Sequence, residues 1–413
     1  MSGCDCTPTV SDLKPYEEAV ELLLSHARPL ADTETLGLHE ALGRVLATPV
    51  KSGIDVPGWD NSAMDGYALR VADVPAEGTR LKVSQRIPAG TAPQPLEPGT
   101  AARIFTGAPV PEGADAVVMQ ELTCRQDDEV IINTVPQAGA HIRRRGEDIR
   151  RDAEIIQPGI RLLPQHLGLA ASVGVGELEV FRRPRVAVLA SGDELRMPGQ
   201  PLEPGMIYNS NIFTVAGMLR ALGCQVIDLG QVEDTLDATR QALTEAAAQA
   251  DLVIASGGVS VGEEDHVKPA VEALGELNMW KVAIRPGKPV AFGHIGDTPF
   301  IGTPGNPVSL FVTFLLFARP FIRKLAGLGE VMPVTIQATA GFDWNRPDKR
   351  REFHRARLEK QEDGSDRVVV HPSRSSAVLS STTWANGLVV LPENQVIRAG
   401  DKVQFMPFSE LLS

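Results

Sequence analysis

The period of the apolar positions changes along this chain, and each change marks a different kind of element. "YEEAVELLLSHA" sets Ala19, Leu22, Leu23 and His26 at helical spacing before Pro29. "LHEALGRVLA" comes next as a second amphipathic run, so residues 11–47 predict helix, turn, helix. Residues 48–140 change to short β-type runs among dense Pro and Gly: "LKVSQRI", "ARIFTG", "AVVMQEL" and "EVIINTV". They predict a β-rich inserted domain with long loops. "GIRLLPQHLGLAASVGV" at 159–175 is helical again, so residues 1–47 and 141–183 are expected to form one discontinuous, elongated N-terminal domain. Residues 184–327 alternate. "RVAVLAS", "QVIDLGQV", "DLVIASGG" and "MWKVAI" read as strands, with "NIFTVAGMLRALG", "DATRQALTEAAAQ" and "HVKPAVEALG" as helices between them. "PVAFG" and "PFIG" read as short strands, and "NPVSLFVTFLLFARPFIRKLAG" as a long closing helix. Such alternation predicts a doubly wound, mostly parallel sheet covered on both faces. Residues 328–413 return to strands ("VTIQATA", "EFHRARLE", "RVVVHPS", "GLVVLPE", "KVQFMPF") and predict a small C-terminal β-barrel or sandwich. The expected class is multidomain: a central α/β domain, a β-rich N-terminal part with helical segments, and a C-terminal barrel.

Composition adds limits. The chain has 413 residues, too many for one core. Its net charge of −12 argues against non-specific nucleic-acid binding. Any anion site must therefore concentrate basic groups locally, as at Arg143-Arg144-Arg145 and Lys349-Arg350-Arg351. The four cysteines are irregularly spaced, which fits reduced thiols in a cytoplasmic protein. Cys4 and Cys6 make a C-x-C, but two ligands are not a zinc site. No leader pattern and no apolar run of ~18 residues is present, so no membrane span is expected. "SLFVTFLLFA" is shorter and reads as a buried helix.

In an open α/β sheet, ligands bind beyond the carboxyl ends of the strands. Those ends read "SGDEL" (191–195), "VEDT" (232–235), "SGGVSVGEED" (256–265), "RPGKP" (285–289) and "GTPGNPVS" (302–309). Neither a G-x-G-x-x-G after the first strand nor a P-loop signature is found, which excludes the common nucleotide folds. The third loop poses a contradiction. Ser256, Gly257 and Gly258 invite an anion through exposed N–H groups, yet Glu263, Glu264 and Asp265 repel one. A divalent cation resolves it, because Mg²⁺ is held by one or two carboxylates plus substrate phosphates. Glu194 and Asp265 both lie at strand ends and are the candidate metal ligands. Two further acidic loops lie upstream: "PGWDNSAMDGYAL", with Asp60, and "RRRGEDI", where Asp148 comes after three arginines that favour an ionised carboxylate.

"DNSAMDGYA", "FTGAPVPEGADAVVMQE", "RRRGEDI", "SGDEL", "SGGVSVGEEDHVK", "RPGKP" and "GTPGNPVS", in this order, resemble the MoeA family, the molybdopterin molybdenumtransferases related to the gephyrin E domain. The similarity runs from about Leu13 to Phe408. The resemblance implies insertion of molybdate into adenylylated molybdopterin with Mg²⁺, release of AMP, and an elongated four-domain homodimer. Its site would lie between the α/β domain of one subunit and the β-rich and C-terminal domains of the other. It implies Asp60, Asp148, Asp234 and Asp265 as catalytic residues. Thr106, Ser256, Gly257, Gly258, Lys281, Arg285, Pro304, Ser373 and Ser375 would bind substrate, with Ser376 an alternative in the same loop, and Glu194 and Asp265 the metal. Arg285 stands where the family often has Lys, and Asp152-Ala153 where it usually has a Gly-Asp turn. Molybdopterin adenylyltransferase and acceptor molybdoenzymes or their chaperones are the implied protein partners. A non-catalytic scaffold and a tungsten-inserting paralogue are the alternatives. A scaffold would be free to lose Asp60, Asp148, Asp234 and Asp265, and this chain has all four.

Overall fold

The computed structural model describes residues 13–257, 266–361 and 364–412. The N-terminal piece is built from paired segments that lie far apart in sequence. Thr33–Gly37 pairs antiparallel with Glu177–Phe181, Val50–Lys51 with Glu154–Ile156, and Asn61–Ser62 with Ile142–Arg143. The chain therefore climbs a narrow ladder, builds a sheet and descends beside its own path. That sheet has six strands in the order Ala116–Met119, Gly66–Leu69, Thr100–Ile104, Thr79–Ile87, Glu129–Ile132 and Thr123–Gln126. Alternating residues feed its two faces: Tyr67 and Leu69 pack on one, Ala68, Ile87 and Ile104 on the other.

The predicted second helix at 38–47 is absent. Its apolar residues Ala41 and Leu46 are buried, but through turns and bridges instead. Gly43 takes φ +75, which breaks a helix after one turn, and Val45 and Leu46 then bridge to Arg161 and Val180. The predicted first helix does form, Tyr16–Ser25. It docks where the central α/β domain meets the C-terminal strands, with the Tyr16 ring 5.8 Å from Phe317 and 5.2 Å from Phe353. Asp152 sustains the altered turn after "RRRGEDI" by adopting φ +67, a conformation that Asp tolerates better than most residues.

The central sheet runs Gln225–Val232, Arg185–Ser191, Leu252–Ser256, Thr298–Thr303, Pro289–Ile295, Gly275–Lys281. The first four strands are parallel, and the last two continue antiparallel as the edge. Residues of one parity (Val186, Val188, Ile254, Phe292) pack against helices Asn211–Ala221 and 307–325. Those of the other (Ala187, Leu189, Val253, Phe300) pack against Leu236–Gln249 and Val267–Leu274. Both faces are thus covered, as the unbroken apolar strands predict. The expected strand "MWKVAI" divides: Gly275–Lys281 stays in this sheet, while Ile284–Arg285 crosses to pair with Arg351 and Glu352. The long closing helix is buried throughout 308–318 and widens at Phe314–Ala318.

The C-terminal strands close into a five-stranded barrel: Arg351–Lys360, Asp366–Val370, Ile336–Ala340, Lys402–Pro407, Gly387–Leu391 and back to the first. The crossing pair at Ile284–Arg285 ties this barrel to the carboxyl edge of the central sheet. Among the described residues, no helix is long and apolar enough to cross a membrane.

Candidate functional site

A cavity of about 1100 Å³ opens at that junction. Its floor is the carboxyl edge of the sheet, where the strand order reverses between Arg185–Ser191 and Leu252–Ser256. Ser191 and Ser256 end these strands and line the cavity. Ser191 Oγ donates to Asp234 Oδ1 at 2.7 Å, so Asp234 is one hydrogen bond behind the wall. Gly257 turns the chain at φ +82, and its N–H donates to Thr303 O at 3.1 Å. "GTPGNPVS" forms the next wall and runs into helix Pro307–Thr313, with Asn211 Nδ2 donating to Gly305 O at 2.7 Å.

The opposite wall is basic. Arg285, Lys288, Arg350 and Arg374 line the cavity, whereas Glu194 is the one acid among its described lining residues. A single carboxylate organises most of the guanidiniums. Asp348 accepts from Arg285 Nη1 at 3.1 Å and from Arg350 Nε and N–H at 3.2 and 3.0 Å, with Arg374 Nη2 at 4.0 Å. Burial pushes the Asp348 carboxyl up, but the Arg350 hydrogen bonds and then Arg285 outweigh it and bring it down to about 2. Arg374 also pairs with buried Glu352 at 2.6 Å and lies over the Trp344 ring at 4.8 Å. The serine loop is held from below. Fully buried Arg355 donates to Ser373 O at 2.6 Å, Ser375 O at 3.2 Å and Ser381 Oγ at 2.9 Å. Val308 N–H holds the same loop from the helix side, donating to Ser376 O at 3.0 Å. Gly287 is required in the basic loop: it has φ +90, and a Cβ there would lie 2.2 Å from Thr313 Cγ2.

Of the residues expected from sequence, Glu194, Ser256, Gly257, Arg285, Pro304 and Ser375 therefore meet in one cavity. Ser376 lines it too. Ser373 does not; its Oγ accepts from Ser375 N–H at 3.2 Å, within the loop. Lys281 is exposed at the end of the outermost strand and is not part of the wall. Gly258 and Asp265 lie outside the described residues, as do Glu263, Glu264, Cys4 and Cys6. Arg350 belongs to the Lys349-Arg350-Arg351 run that the sequence marks as a basic concentration, whereas Lys288, Arg374 and the buttress Asp348 are not identified by the sequence reading. The "KRR" run and the lone cation in "SRSS" are the available signals, and neither says which side chains face inward.

Asp60, Thr106 and Asp148 do not line this cavity. They gather in the N-terminal piece. Asp60 accepts from Arg144 Nη1 at 2.6 Å and from Arg145 N–H at 2.8 Å. Partial burial pushes its carboxyl up, but these two donors outweigh it and hold it below the usual range. Thr106 donates both its N–H and Oγ to Asp65 Oδ1 at 2.8 Å, which lowers Asp65. Asp148 is exposed, and its N–H donates to Val56 O at 3.0 Å. The adjoining Trp59 is 55% exposed, so this loop presents an aromatic face and ionised carboxylates to solvent.

Magnesium requires hard oxygen ligands. The Glu194 carboxylate pairs with no cation among the described residues although four cationic side chains share its cavity. No group of three or more His, Cys, Asp or Glu side chains able to hold an ion occurs among the described residues. One or two carboxylates with an open remainder suit a cation that completes its shell with phosphate oxygens and water.

Residues 14–174 match the MoeA N-terminal region (domain I and II), residues 187–324 a "probable molybdopterin binding domain", and residues 337–408 the MoeA C-terminal region (domain IV). The chain belongs to the MoeA family. The cavity sits where the second and third of these regions meet. The molybdopterin molybdenumtransferase of Haemophilus influenzae is 41% identical over 384 residues, covering 92% of this chain and 95% of that protein. The Nostoc protein of the same name is 38% identical over 381 residues, covering 90% and 87%. The crystal structure of a molybdopterin biosynthesis MoeA protein from Pyrococcus horikoshii aligns with a TM-score of 0.81 at 32% identity, over 96% of this chain and 99% of that one.

Proposed function

We propose that this protein is a molybdopterin molybdenumtransferase, which takes molybdate and adenylylated molybdopterin and releases AMP and molybdenum cofactor. One observation carries the reading: a cavity whose described lining is strongly basic stands at the sheet edge of the region matching the probable molybdopterin binding domain, in a chain of net charge −12. Arg285, Lys288, Arg350 and Arg374 supply the charge that two oxyanion substrates require. The Ser256–Gly257 turn and the Ser375–Ser376 loop add neutral donors to the same space. Glu194 and Asp265 would hold Mg²⁺, and Asp234 stands behind the cavity wall through Ser191. Bound there, Mg²⁺ supplies phosphate charge neutralisation and Lewis-acid activation of the phosphoanhydride. Asp348 keeps the arginines splayed toward the substrates, so little ordering remains to be done on binding.

Asp60, Thr106 and Asp148 stand apart from this cavity within one chain. Their role in the reaction requires a second copy that brings its N-terminal loops over the cavity, which is why the working form is a homodimer. Static light scattering tests this, and a stable monomer at micromolar concentration would overturn it. The setting is cytoplasmic, with molybdopterin adenylyltransferase as supplier and molybdoenzymes or their chaperones as acceptors. The activity itself is tested with purified protein and adenylylated molybdopterin. AMP should appear only when molybdate and Mg²⁺ are both present. AMP release that ignores molybdate, or none at all, would favour hydrolysis or a scaffold instead. Tungstate in place of molybdate distinguishes the paralogue reading.

A further inference from the structure

The lining of the large cavity is not uniform. Arg285, Lys288, Arg350 and Arg374 answer to oxyanions, but a space of about 1100 Å³ is far larger than oxyanions fill. A second stretch of the lining, residues 207–211, carries no charge: Ile207, Tyr208, Asn209, Ser210 and Asn211. It faces whatever part of a ligand is neither phosphate nor molybdate.

Tyr208 is the one aromatic side chain among the described lining residues, and it remains 45% exposed. It is nevertheless held at both ends. Its strand, Ile207–Tyr208, pairs in parallel with Leu195–Arg196; Ile207 N–H donates to Glu194 O at 2.8 Å and Asn209 N–H to Arg196 O at 2.9 Å. The Tyr208 hydroxyl donates to Gln200 O at 3.0 Å, and Gln200 Oε1 accepts from Met197 N–H at 3.0 Å. A ring fixed in this way has little rotamer freedom left to lose when a ligand settles on it.

Asn209 comes next in the same wall and is only 2% exposed. Its Oδ1 accepts from Ile212 N–H at 3.3 Å, in the first turn of helix Asn211–Ala221. Its Nδ2 meets no acceptor among the described residues. A helix-capping role explains the oxygen and leaves the nitrogen idle, and buried amide donors are seldom left idle in native structures. Ser210, at the N-cap itself, makes no side-chain capping bond either. The segment thus offers a fixed aromatic face beside an uncommitted neutral donor. Oxyanions gain most from cations, whereas a planar nitrogen heterocycle uses both features, a face for stacking and an edge that accepts hydrogen bonds.

We propose that Tyr208 and Asn209 form the subsite for the planar nitrogen heterocycle of the substrate, with the Tyr208 ring stacked on its face and the Asn209 amide donating to an acceptor on its edge. The proposal rests on the reading of this cavity as the adenylylated-molybdopterin site, and adds which wall takes a ring. Adenine and pterin share the chemistry recognised here, and binding experiments separate them. Calorimetry of the full chain with Mg²⁺ measures AMP, ribose 5-phosphate and pterin-6-carboxylate on the wild type, Tyr208→Leu, Tyr208→Phe and Asn209→Asp. Ribose 5-phosphate keeps the phosphate without the ring, so it reports the basic wall and an intact fold. Tyr208→Leu keeps apolar bulk without an aromatic face. It should weaken AMP or the pterin by about tenfold, the effect of one stacked ring, and leave ribose 5-phosphate unchanged. Tyr208→Phe keeps the face and should bind within about twofold of the wild type. Asn209→Asp keeps the acceptor for Ile212 and removes the donor, so affinity for the ring-bearing ligand should fall about fivefold relative to ribose 5-phosphate. A loss confined to AMP identifies adenine as the ring in this subsite, and a loss confined to pterin-6-carboxylate identifies the pterin. Ring-bearing ligands that bind Tyr208→Leu as tightly as the wild type, or that weaken only in step with ribose 5-phosphate, would overturn the subsite and leave the reading of the cavity standing. A wild type that holds neither AMP nor pterin-6-carboxylate would overturn both.

Discussion

Arg355→Met removes the side chain on which the serine loop rests. Arg355 is 1% exposed; its Nη2 donates to both Ser373 O and Ser375 O, its Nε to Ser381 Oγ, and its Nη1 faces His354 Nδ1 at 3.5 Å. Ser381 Oγ still has Val378 O at 2.6 Å, so its loss is small. The two loop carbonyls have no comparable substitute in the barrel. A buried acceptor left without a donor costs ~1–3 kcal/mol, but Ser373 is half-buried and Ser375 exposed, so water replaces part of the loss. Met recovers a further part through apolar contact, so the net cost is about 2 kcal/mol, a factor of roughly 30 in the folding equilibrium of the barrel. Ser375 and Ser376 line the cavity, so oxyanion affinity should also fall, by about tenfold. Urea denaturation gives the first quantity, calorimetry with AMP the second, and native-state hydrogen exchange over 371–377 localises the effect. Arg355→Lys, which keeps the charge and at least one donor, should be intermediate. If Arg355→Met matched the wild type in urea midpoint, AMP affinity and loop exchange, the claim that Arg355 supports the site would fall.

Asp348→Asn should change the acid limb of stability. The folded carboxyl is depressed from 3.8 to about 2, so its contribution, on the order of 2 kcal/mol, is complete above pH ~4 and disappears as pH falls through about 2. Between those values Asp348→Asn should lose less stability than the wild type, as melts across pH 2–4 would show; parallel curves would refute the pairing. Gly287→Ala meets both a left-handed φ and Thr313, so it should cost ~2–4 kcal/mol and displace Lys288 from the cavity. A stable Gly287→Ala protein with unchanged AMP affinity would contradict this. Asp60→Asn should leave AMP affinity almost unchanged yet lower molybdate-dependent turnover by ~10²-fold, since Asp60 lies outside the cavity proposed to take AMP. Full turnover in the folded variant would assign Asp60 to the local arginine cluster alone.

Much of this protein is legible from period alone. Unbroken apolar strands alternating with amphipathic helices determine a doubly covered sheet, because any other arrangement leaves one face wet. The loops at its carboxyl ends point in advance to the edge that carries the large cavity, since parallel strands all deliver their next loops there. The motifs likewise indicate Glu194, Ser256, Arg285 and Pro304. Period does not settle 38–47, where apolar residues spaced for a helix are buried by turns. One left-handed glycine ends the helix, and segments far along the chain, at Arg161 and Val180, capture Val45 and Leu46. Nor does period show that "MWKVAI" serves two sheets, because the partner of Ile284–Arg285 is Arg351–Glu352 and pairing is a property of space. That crossing brings Asp348, Arg350 and Arg374 to the sheet edge. A charged residue reads the same in sequence whether it faces solvent or a ligand; the tertiary structure sets Arg374 of the barrel's serine loop into the cavity wall and leaves Lys281 exposed at the end of the central sheet's outer strand. Local sequence thus determines the elements and the chemistry they carry, while the tertiary structure decides which distant charges share one low-dielectric space and act together.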